Sequence, residues 1–254
     1  MAGRRWRAVV GGIGEVFITI GVVLVLFVVW QLGFVAIVDS NAQIGVVSQL
    51  EAQFAAGGEG LPDIPLTSPG GTATDPGGTS GTTGTTGNTG PKVTLEDGKV
   101  FAILRVPRLG GPGWARPIYE GVGLPTLAKG LGRYPDTALP GAIGNFAVAG
   151  HRAGHGNPLI NIDAIRDGDV MVVETRSGYA VYRAQRHTIV PPTSVDVVAA
   201  VPQKPGAKPT EAWFTLTSCD PRFSSTNRYI VFAKLERVIP RAEGIPADLL
   251  ADPR

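Results

Sequence analysis

The stretch Thr215–Leu235, TLTSCDPRFSSTNRYIVFAKL, closes one apolar run and opens another. Its alternating, β-branched and aromatic residues predict two strands joined by a short loop. Cys219 ends the first predicted strand and Arg228 begins the second. Cys219 is the only cysteine among 254 residues, which excludes an internal disulfide and a zinc site built from several thiolates. Two interpretations of this thiol are therefore open: a small core side chain or a nucleophile.

The composition gives no support to nucleic-acid binding. The chain has 23 Lys and Arg residues against 21 Asp and Glu, for a formal net charge of +2. With 35 glycines, 21 prolines and only 17% charged residues, it should contain many turns, short strands and a low-complexity segment. No cluster of acidic residues indicates a calcium site, and we expect neither a metal nor a cofactor.

The N-terminal region predicts a membrane anchor. Residues 16–38 contain no charge, and as a helix they would span about 35 Å, enough for a hydrocarbon core of roughly 30 Å. Arg4, Arg5 and Arg7 precede the run, so residues 1–15 should be cytoplasmic and the rest of this single-pass protein extracellular. A cleaved signal peptide is the alternative, but the run is too long and no small-x-small cleavage site follows it directly. A buried core helix fits less well, because the run is apolar on every side.

Four further regions follow the predicted anchor. Residues 39–66 form a juxtamembrane segment, in which Asn41–Ala56 has apolar residues at helical spacing. Residues 67–91 are mostly Gly, Thr, Ser and Pro, which predicts a flexible tether with an r.m.s. span of roughly 25–30 Å. Residues 92–240 have a globular composition, and residues 241–254 are expected to be a loosely attached C-terminal tail.

The globular region is dominated by short strand patterns. The predicted strands are residues 100–106, 145–151, 169–175, 179–190, 212–219 and 228–238. Arg176–Gly178 predicts a hairpin turn, and Pro158–Ile165 predicts one short helix. Because no helices alternate with these strands, the pattern favours a β-barrel or sandwich.

Two chemistry-bearing residues each end a predicted strand. His151 follows one run and Cys219 ends another, and two strand ends can converge at one rim of a barrel. An imidazolium or guanidinium beside a thiol favours the thiolate, which is the reactive nucleophile. Arg228 is the natural third member, because its charged N–H donors could hold a substrate carbonyl or a developing oxyanion.

Each of these residues also has an ordinary structural explanation. A lone strand cysteine such as Cys219 is usually a small core residue, a histidine such as His151 after a strand is more often on the surface, and Arg228 could protect a strand edge. For His155 a structural role is simpler than a catalytic one, and the simplest interpretation of His187 is a solvent-facing residue in a strand. Composition does not decide among these interpretations.

The combination of motifs resembles the sortases, the membrane-anchored cysteine transpeptidases of Gram-positive bacteria. The family signature is TLxTC at the end of a strand, with an arginine on the next strand and a histidine upstream. Residues 215–219 of this chain read TLTSC. Thr215, Leu216 and Cys219 are identical to the signature, and Ser218 stands where the family has threonine. The resemblance covers about Val100–Val238. NFAVAGHR upstream and NRYIVFA downstream supply the histidine and the arginine in the family's order.

The resemblance implies an all-β fold, an eight-stranded β-barrel with one or two short helices, preceded by one N-terminal transmembrane helix. It also implies that His151, Cys219 and Arg228 are catalytic. The expected reaction cleaves a sorting signal between Thr and Gly through a thioacyl-enzyme. It then transfers the surface protein to an amine of a lipid-linked peptidoglycan precursor.

The segment Gly132–Leu159 resembles the class E sortases of actinobacteria, which favour an LAXTG signal over LPXTG. Tyr134 is expected to influence that choice, and Thr217 and Ser218 are expected to contact the substrate. Two other functions remain open. One is a different extracytoplasmic Cys–His enzyme, such as an L,D-transpeptidase-like or cysteine-peptidase domain. The other is a non-catalytic, membrane-anchored binding module.

Overall fold

The computed structural model describes residues 2–30, 35–66 and 93–251. Three helices lie within these ranges: α1 (Ala2–Val29), α2 (Val35–Ala55) and the single-turn α3 (Leu124–Leu127). The strands are β1 (Val100–Arg105), β2 (Ala115–Glu120), β3 (Leu131–Arg133), β4 (Gly144–Ala149), β5 (Val170–Thr175), β6 (Gly178–Val190), β7 (Ala212–Asp220) and β8 (Asn227–Pro240).

The eight strands close into a barrel in the order β1-β2-β3-β4-β7-β8-β6-β5, which confirms the predicted fold. The pairs β2–β3 and β4–β7 are parallel, and the other pairs are antiparallel. Because β4 and β7 are parallel, both finish at the same end of the barrel, where β8 begins. We call this the upper end. The lower end carries the β5–β6 hairpin and the end of β8.

Aromatic side chains fill the barrel. Phe146 of β4 and Phe214 of β7 stack with ring centroids 5.3 Å apart, and Tyr182 of β6 lies 5.3 Å from Phe214. All three are fully buried, and the backbone N–H of Gly141 donates to the Tyr182 hydroxyl at 2.7 Å. This hydrogen bond satisfies a buried phenol, so the core gains apolar area without an unpaired polar group.

The six predicted strands correspond to β1 and β4–β8, and the predicted hairpin joins β5 to β6. Strands β2 and β3 were not predicted. Pro117 interrupts the β2 pattern, and β3 has only three residues, too few to show an alternation. The short helix predicted at residues 158–165 is present only as a three-residue 3-10 helix at Ile162–Ala164, and the residues before it form turns.

Helix α2 lies lengthwise along the barrel wall. Val47, Leu50 and Phe54 form a buried cluster with Ile103 of β1 and Ala115 of β2. At the upper end, Nε2 of Gln43 donates to the carbonyl oxygen of His155 at 2.8 Å. At the lower end, the guanidinium of Arg241 lies 4.6 Å from the Phe54 ring centroid. The helix is longer than the predicted juxtamembrane helix, because it begins at Val35.

The predicted flexible linker, residues 67–91, lies outside the described residues. Both of its described flanks contact the barrel. Ile64 is fully buried in the main core on one side, and Val93 and Leu95 pack against the same core on the other. The chain is therefore attached to the barrel before it enters this segment. Helix α2, which precedes this segment, also packs on the barrel, and the tether role of residues 67–91 stays a prediction.

Within α1, residues Gly12–Val29 are long and apolar enough to cross a membrane, and none of them is buried in the protein. The predicted span 16–38 covers the end of α1, residues 31–34 outside the described ranges, and the start of α2.

The C-terminal segment is attached more firmly than predicted. Leu249 is 2% exposed and packs in a cluster with Val172, Val181 and Ile239 on the outer barrel wall. Residues 252–254 lie outside the description.

Candidate active site

Three strand ends bring the predicted residues together at the upper end. Cys219 and Arg228 are direct partners in the antiparallel register of β7 and β8. On the other side of β7, the N–H of Gly150 donates to the carbonyl of Thr217 at 3.0 Å, continuing the parallel β4–β7 pairing. His151 is the next residue after Gly150. The barrel therefore places Cys219 between the strand ends that carry His151 and Arg228.

These three residues line a cleft of about 850 Å³. Tyr134, Thr217 and Ser218 line the same cleft, so the structure brings all six sequence-predicted site residues together. Leu124 and Phe223 also line it, and their exposed fractions are 76% and 80%. The cleft thus combines a polar floor at the strand ends with an exposed apolar rim that the sequence did not reveal.

The thiol of Cys219 is neither disulfide-bonded nor fully buried. Its partner Arg228 is held by the loop between β7 and β8, because Nη1 donates to the carbonyls of Ser225 and Asn227 at 2.9 Å each. These bonds use one of the three guanidinium nitrogens. They fix a permanent positive charge at the cleft, where it can act on an anion or a carbonyl oxygen.

His151 faces a second imidazole. The ring centroids of His151 and His155 are 4.7 Å apart. Burial lowers the pKa of His151 below its ordinary value, and the nearby charge of His155 lowers it further. His155 itself is exposed and has a φ of 49°, in the left-handed region. His151 therefore favours the neutral form that can accept a proton.

Arg152 is a site residue that the sequence reasoning missed. It is 4% exposed, although it follows His151 directly. Its guanidinium bonds to Asp220, the residue after Cys219, and forms an ion pair with Asp163 at 2.8 Å. Arg152 thus ties the loop that carries His151 to the end of β7. An arginine directly after the histidine, at the end of an apolar strand, was the available signal.

The residues predicted to contact the substrate form hydrogen bonds with different parts of the barrel. The Tyr134 hydroxyl and the Thr217 hydroxyl share a hydrogen bond of 3.2 Å across the cleft floor. The Ser218 hydroxyl instead donates to the carbonyl of Gly150 at 2.8 Å, so it links β7 to β4. Arg133 supports Tyr134 from below by donating to its carbonyl at 3.0 Å while it pairs with buried Glu120 at 2.8 Å.

The remaining histidine, His187, is exposed on β6, as expected, and stacks on the ring of Tyr229. Within the described residues, no group of three His, Cys, Asp or Glu side chains is arranged to hold a metal ion.

Comparison with known proteins identifies the family of this chain. The sortase domain family model matches residues 104–236. The chain is 35% identical over 248 residues to sortase SrtE1 of Streptomyces coelicolor, an alignment that covers 94% of this chain and 60% of that relative's length.

Solved structures of similar proteins show the same fold. One is sortase E from Streptomyces avermitilis, with 39% identity and a TM-score of 0.55 over 61% of this chain and 99% of that one. Another is sortase E1 from Streptomyces coelicolor with a tripeptide in its active site, with 36% identity and a TM-score of 0.56 over 62% and 100% of the two chains. From its family match, its relatives and its barrel, this chain belongs to the sortase family and groups with the class E members.

Proposed function

We propose that the protein is a cysteine transpeptidase in which Cys219 is the nucleophile, His151 transfers protons and Arg228 stabilises the oxyanion. The observation that carries this proposal is the register that places Cys219 opposite Arg228 and beside the strand end before His151. The partial exposure of Cys219 in a cleft also favours a reactive thiol over a buried core residue.

In the first half-reaction, neutral His151 takes the proton of the Cys219 thiol, and the resulting thiolate attacks the threonine carbonyl of the bound sorting signal. The carbonyl oxygen gains negative charge, and the guanidinium of Arg228 donates to it. When the C–N bond to glycine breaks, His151 as imidazolium gives its proton to the leaving amine. The products are a thioester on Cys219 and a peptide with a free N-terminal glycine.

In the second half-reaction, an amine attacks the thioester carbonyl. Neutral His151 accepts a proton from this amine, an amide bond forms, and Cys219 leaves as the thiolate. The surface protein is then joined to the amine, which we assign to a lipid-linked peptidoglycan precursor. Water in place of the amine would give slow hydrolysis.

The cleft volume and its floor suit an extended peptide of an LAXTG or LPXTG type. The Tyr134–Thr217 hydrogen bond closes the floor beside Cys219, so it restricts the side chain that can stand next to the scissile residue. The similar sortase E1 holds a tripeptide in its active site. These features support assigning Tyr134 and Thr217 to substrate selection, with LAXTG as the preferred signal.

The apolar helix supports a membrane location, with residues 1–15 cytoplasmic and the barrel extracellular. This topology would bring the enzyme to its two substrates, because secreted proteins and lipid-linked precursors meet at the outer membrane face. Confinement there raises the effective concentration of both.

The test uses the full chain in detergent micelles, incubated with LAXTG and LPXTG peptides and a small amine. Mass spectrometry should detect the cleaved glycine peptide, the amine-ligated product and a thioacyl adduct. Cys219→Ala should abolish all three, and His151→Ala should nearly do so, whereas His187→Ala at the exposed histidine should match the wild type. Turnover by Cys219→Ala at the wild-type rate would end the proposal.

A further inference from the structure

We propose that the upper end of the barrel, with the mouth of the cleft, faces the lipid bilayer and contacts its surface. Three features of the described residues carry this inference. The first is the position in α2 at which the predicted membrane span ends. The second is the packing of α2 on the barrel wall. The third is the concentration of exposed apolar side chains at the upper end.

The start of α2 marks the membrane boundary. The uncharged run ends at Val38, and Asp39 is the first charged residue after it. Ile37 and Val38 lie in the first turn of α2 and are 60% and 48% exposed, so the barrel does not cover them. A carboxylate is costly in the hydrocarbon core, so the chain should leave the lipid at about Asp39.

The upper end of the barrel lies against α2 at this same level. Gly156 has a φ of +77°, and a Cβ there would lie 2.8 Å from the backbone nitrogen of Ser40 and 3.0 Å from the carbonyl carbon of Asp39. One turn further along, Gln43 is 2% exposed and donates to His155. The loop that follows His151 therefore stands level with the residues that leave the membrane.

The docking of α2 also fixes the direction of the barrel. The buried cluster of Val47, Leu50 and Phe54 prevents the helix from swinging away from the wall. From Asp39 to Phe54 the helix rises roughly 22 Å, and at that point Arg241 of the lower end covers the Phe54 ring. The lower end therefore points away from the membrane.

Exposed apolar side chains gather at the end that faces the bilayer. Among the described barrel residues, the exposed large hydrophobics are Leu124, Ile143, Ile189, Val195 and Phe223. Leu124 and Phe223 line the cleft mouth, and Val195 lines a small cavity beside Arg228. Ile189 pairs with Tyr229 near the start of β8, so only Ile143 lies away from the upper end. Such a patch suits contact with the bilayer interface.

The experiment measures the height of each end above a bilayer. The full chain with Cys219→Ser is reconstituted in nanodiscs, and a single cysteine is introduced at exposed Ser225 of the upper end or exposed Ala242 of the lower end. A fluorescent dye on that cysteine transfers energy to an acceptor on the lipid headgroups. The two positions lie beyond opposite ends of β8, and the roughly 22 Å that α2 rises between the levels of the two barrel ends is a height difference that this method resolves. We expect markedly higher transfer from Ser225→Cys than from Ala242→Cys.

Equal transfer from the two positions, or higher transfer from Ala242→Cys, would overturn the proposal. The apolar rim would then contact only the peptide substrate.

A second arm inserts a flexible Gly/Ser segment between Val38 and Asp39. The difference in energy transfer between the two labelled positions should then become smaller, because α2 no longer sets the orientation of the barrel. An unchanged difference would refute the role of α2. Neither arm uses catalytic activity, so both outcomes are independent of the proposed reaction.

Discussion

Two clusters of arginine and carboxylate, each centred on one buried charged side chain, lie on different parts of the barrel. At the upper end, Arg152 joins Asp163 and Asp220 next to His151 and Cys219. Towards the lower end, Glu174 lies between Arg105 and Arg241, at 2.8 and 3.0 Å, under α2. Arg105 also pairs with Glu51 of α2.

The chemistry of the two clusters is alike, but the segments that they join differ. The Arg152 cluster joins the segments that carry His151 and Cys219, so a small shift there changes the distance between these two side chains. The Glu174 cluster joins the barrel wall to the docked helix and the segment after β8. Burial alone would lower the pKa of Arg105, but its two carboxylate partners raise it above the ordinary value. We therefore expect the first cluster to affect catalysis and the second to affect stability.

Arg228 gives the largest expected effect at the upper end. Arg228→Ala should reduce peptide turnover by about 10²–10³, the usual cost of one oxyanion donor, because the developing charge loses its partner. The free energy of unfolding should fall by only about 1–2 kcal/mol, since the half-buried side chain loses its hydrogen bonds to the carbonyls of Ser225 and Asn227. Arg228→Lys keeps the charge but not the planar geometry, so it should recover only part of the rate. Turnover and melting temperature are measured on the same preparations, and full activity in Arg228→Ala would remove Arg228 from the mechanism.

Arg152→Met tests the upper cluster itself. Losing the tie to Asp220 should displace His151 relative to Cys219 and lower kcat by up to about 10²-fold, with little change in KM. The free energy of unfolding should fall by about 1–3 kcal/mol, because Asp220 loses its partner and Asp163 keeps only its longer contact with Arg222. If only stability falls and kcat stays at the wild-type value, the two clusters have the same role and our comparison is wrong.

His155→Asn should change the titration of His151. The substitution removes the second imidazole while asparagine tolerates the left-handed backbone. The pKa of His151 should rise, because the repelling charge is gone, but it should stay below its ordinary value, since burial remains the main cause of its shift. NMR of histidine-labelled full-length protein measures the midpoint directly, with only three histidines to assign. His187→Asn is the matched control, and an unchanged midpoint in His155→Asn would contradict the coupling.

Glu174→Gln should have the smallest effect on turnover and a large effect on stability. It leaves Arg105 and Arg241 without their shared countercharge, which should cost about 3 kcal/mol, at the low end for a broken buried ion pair. Glu211→Gln makes the same chemical change in a pair with Lys234, where the glutamate side chain is 51% exposed, and should cost less than about 1 kcal/mol. Denaturation curves and kcat are compared for both variants. A lower kcat for Glu174→Gln, measured at a temperature well below the melting temperature of the variant, would show that the lower cluster also positions the side chains of the cleft.

The sequence by itself determined the parts of this protein that depend on local patterns. Alternation along β7 and β8 predicted both strands, and it placed Cys219 and Arg228 at facing strand ends. The uncharged run near the N-terminus predicted an apolar helix. These features follow from which side chains neighbouring residues bury, so a short window of sequence is enough to detect them.

Only the tertiary structure decided the contacts between distant segments. Gln43 and His155 are 112 positions apart, so no local pattern could show that α2 docks beside the active site. The same holds for the ion pairs of Arg152 with Asp163 and Asp220, and for the Tyr134–Thr217 bond across the cleft. The composition of the Gly/Thr-rich segment predicted flexibility, but it could not show that both flanks of the segment pack against the barrel. Strand propensity is local, whereas register between strands and the docking of a helix depend on the whole closed barrel.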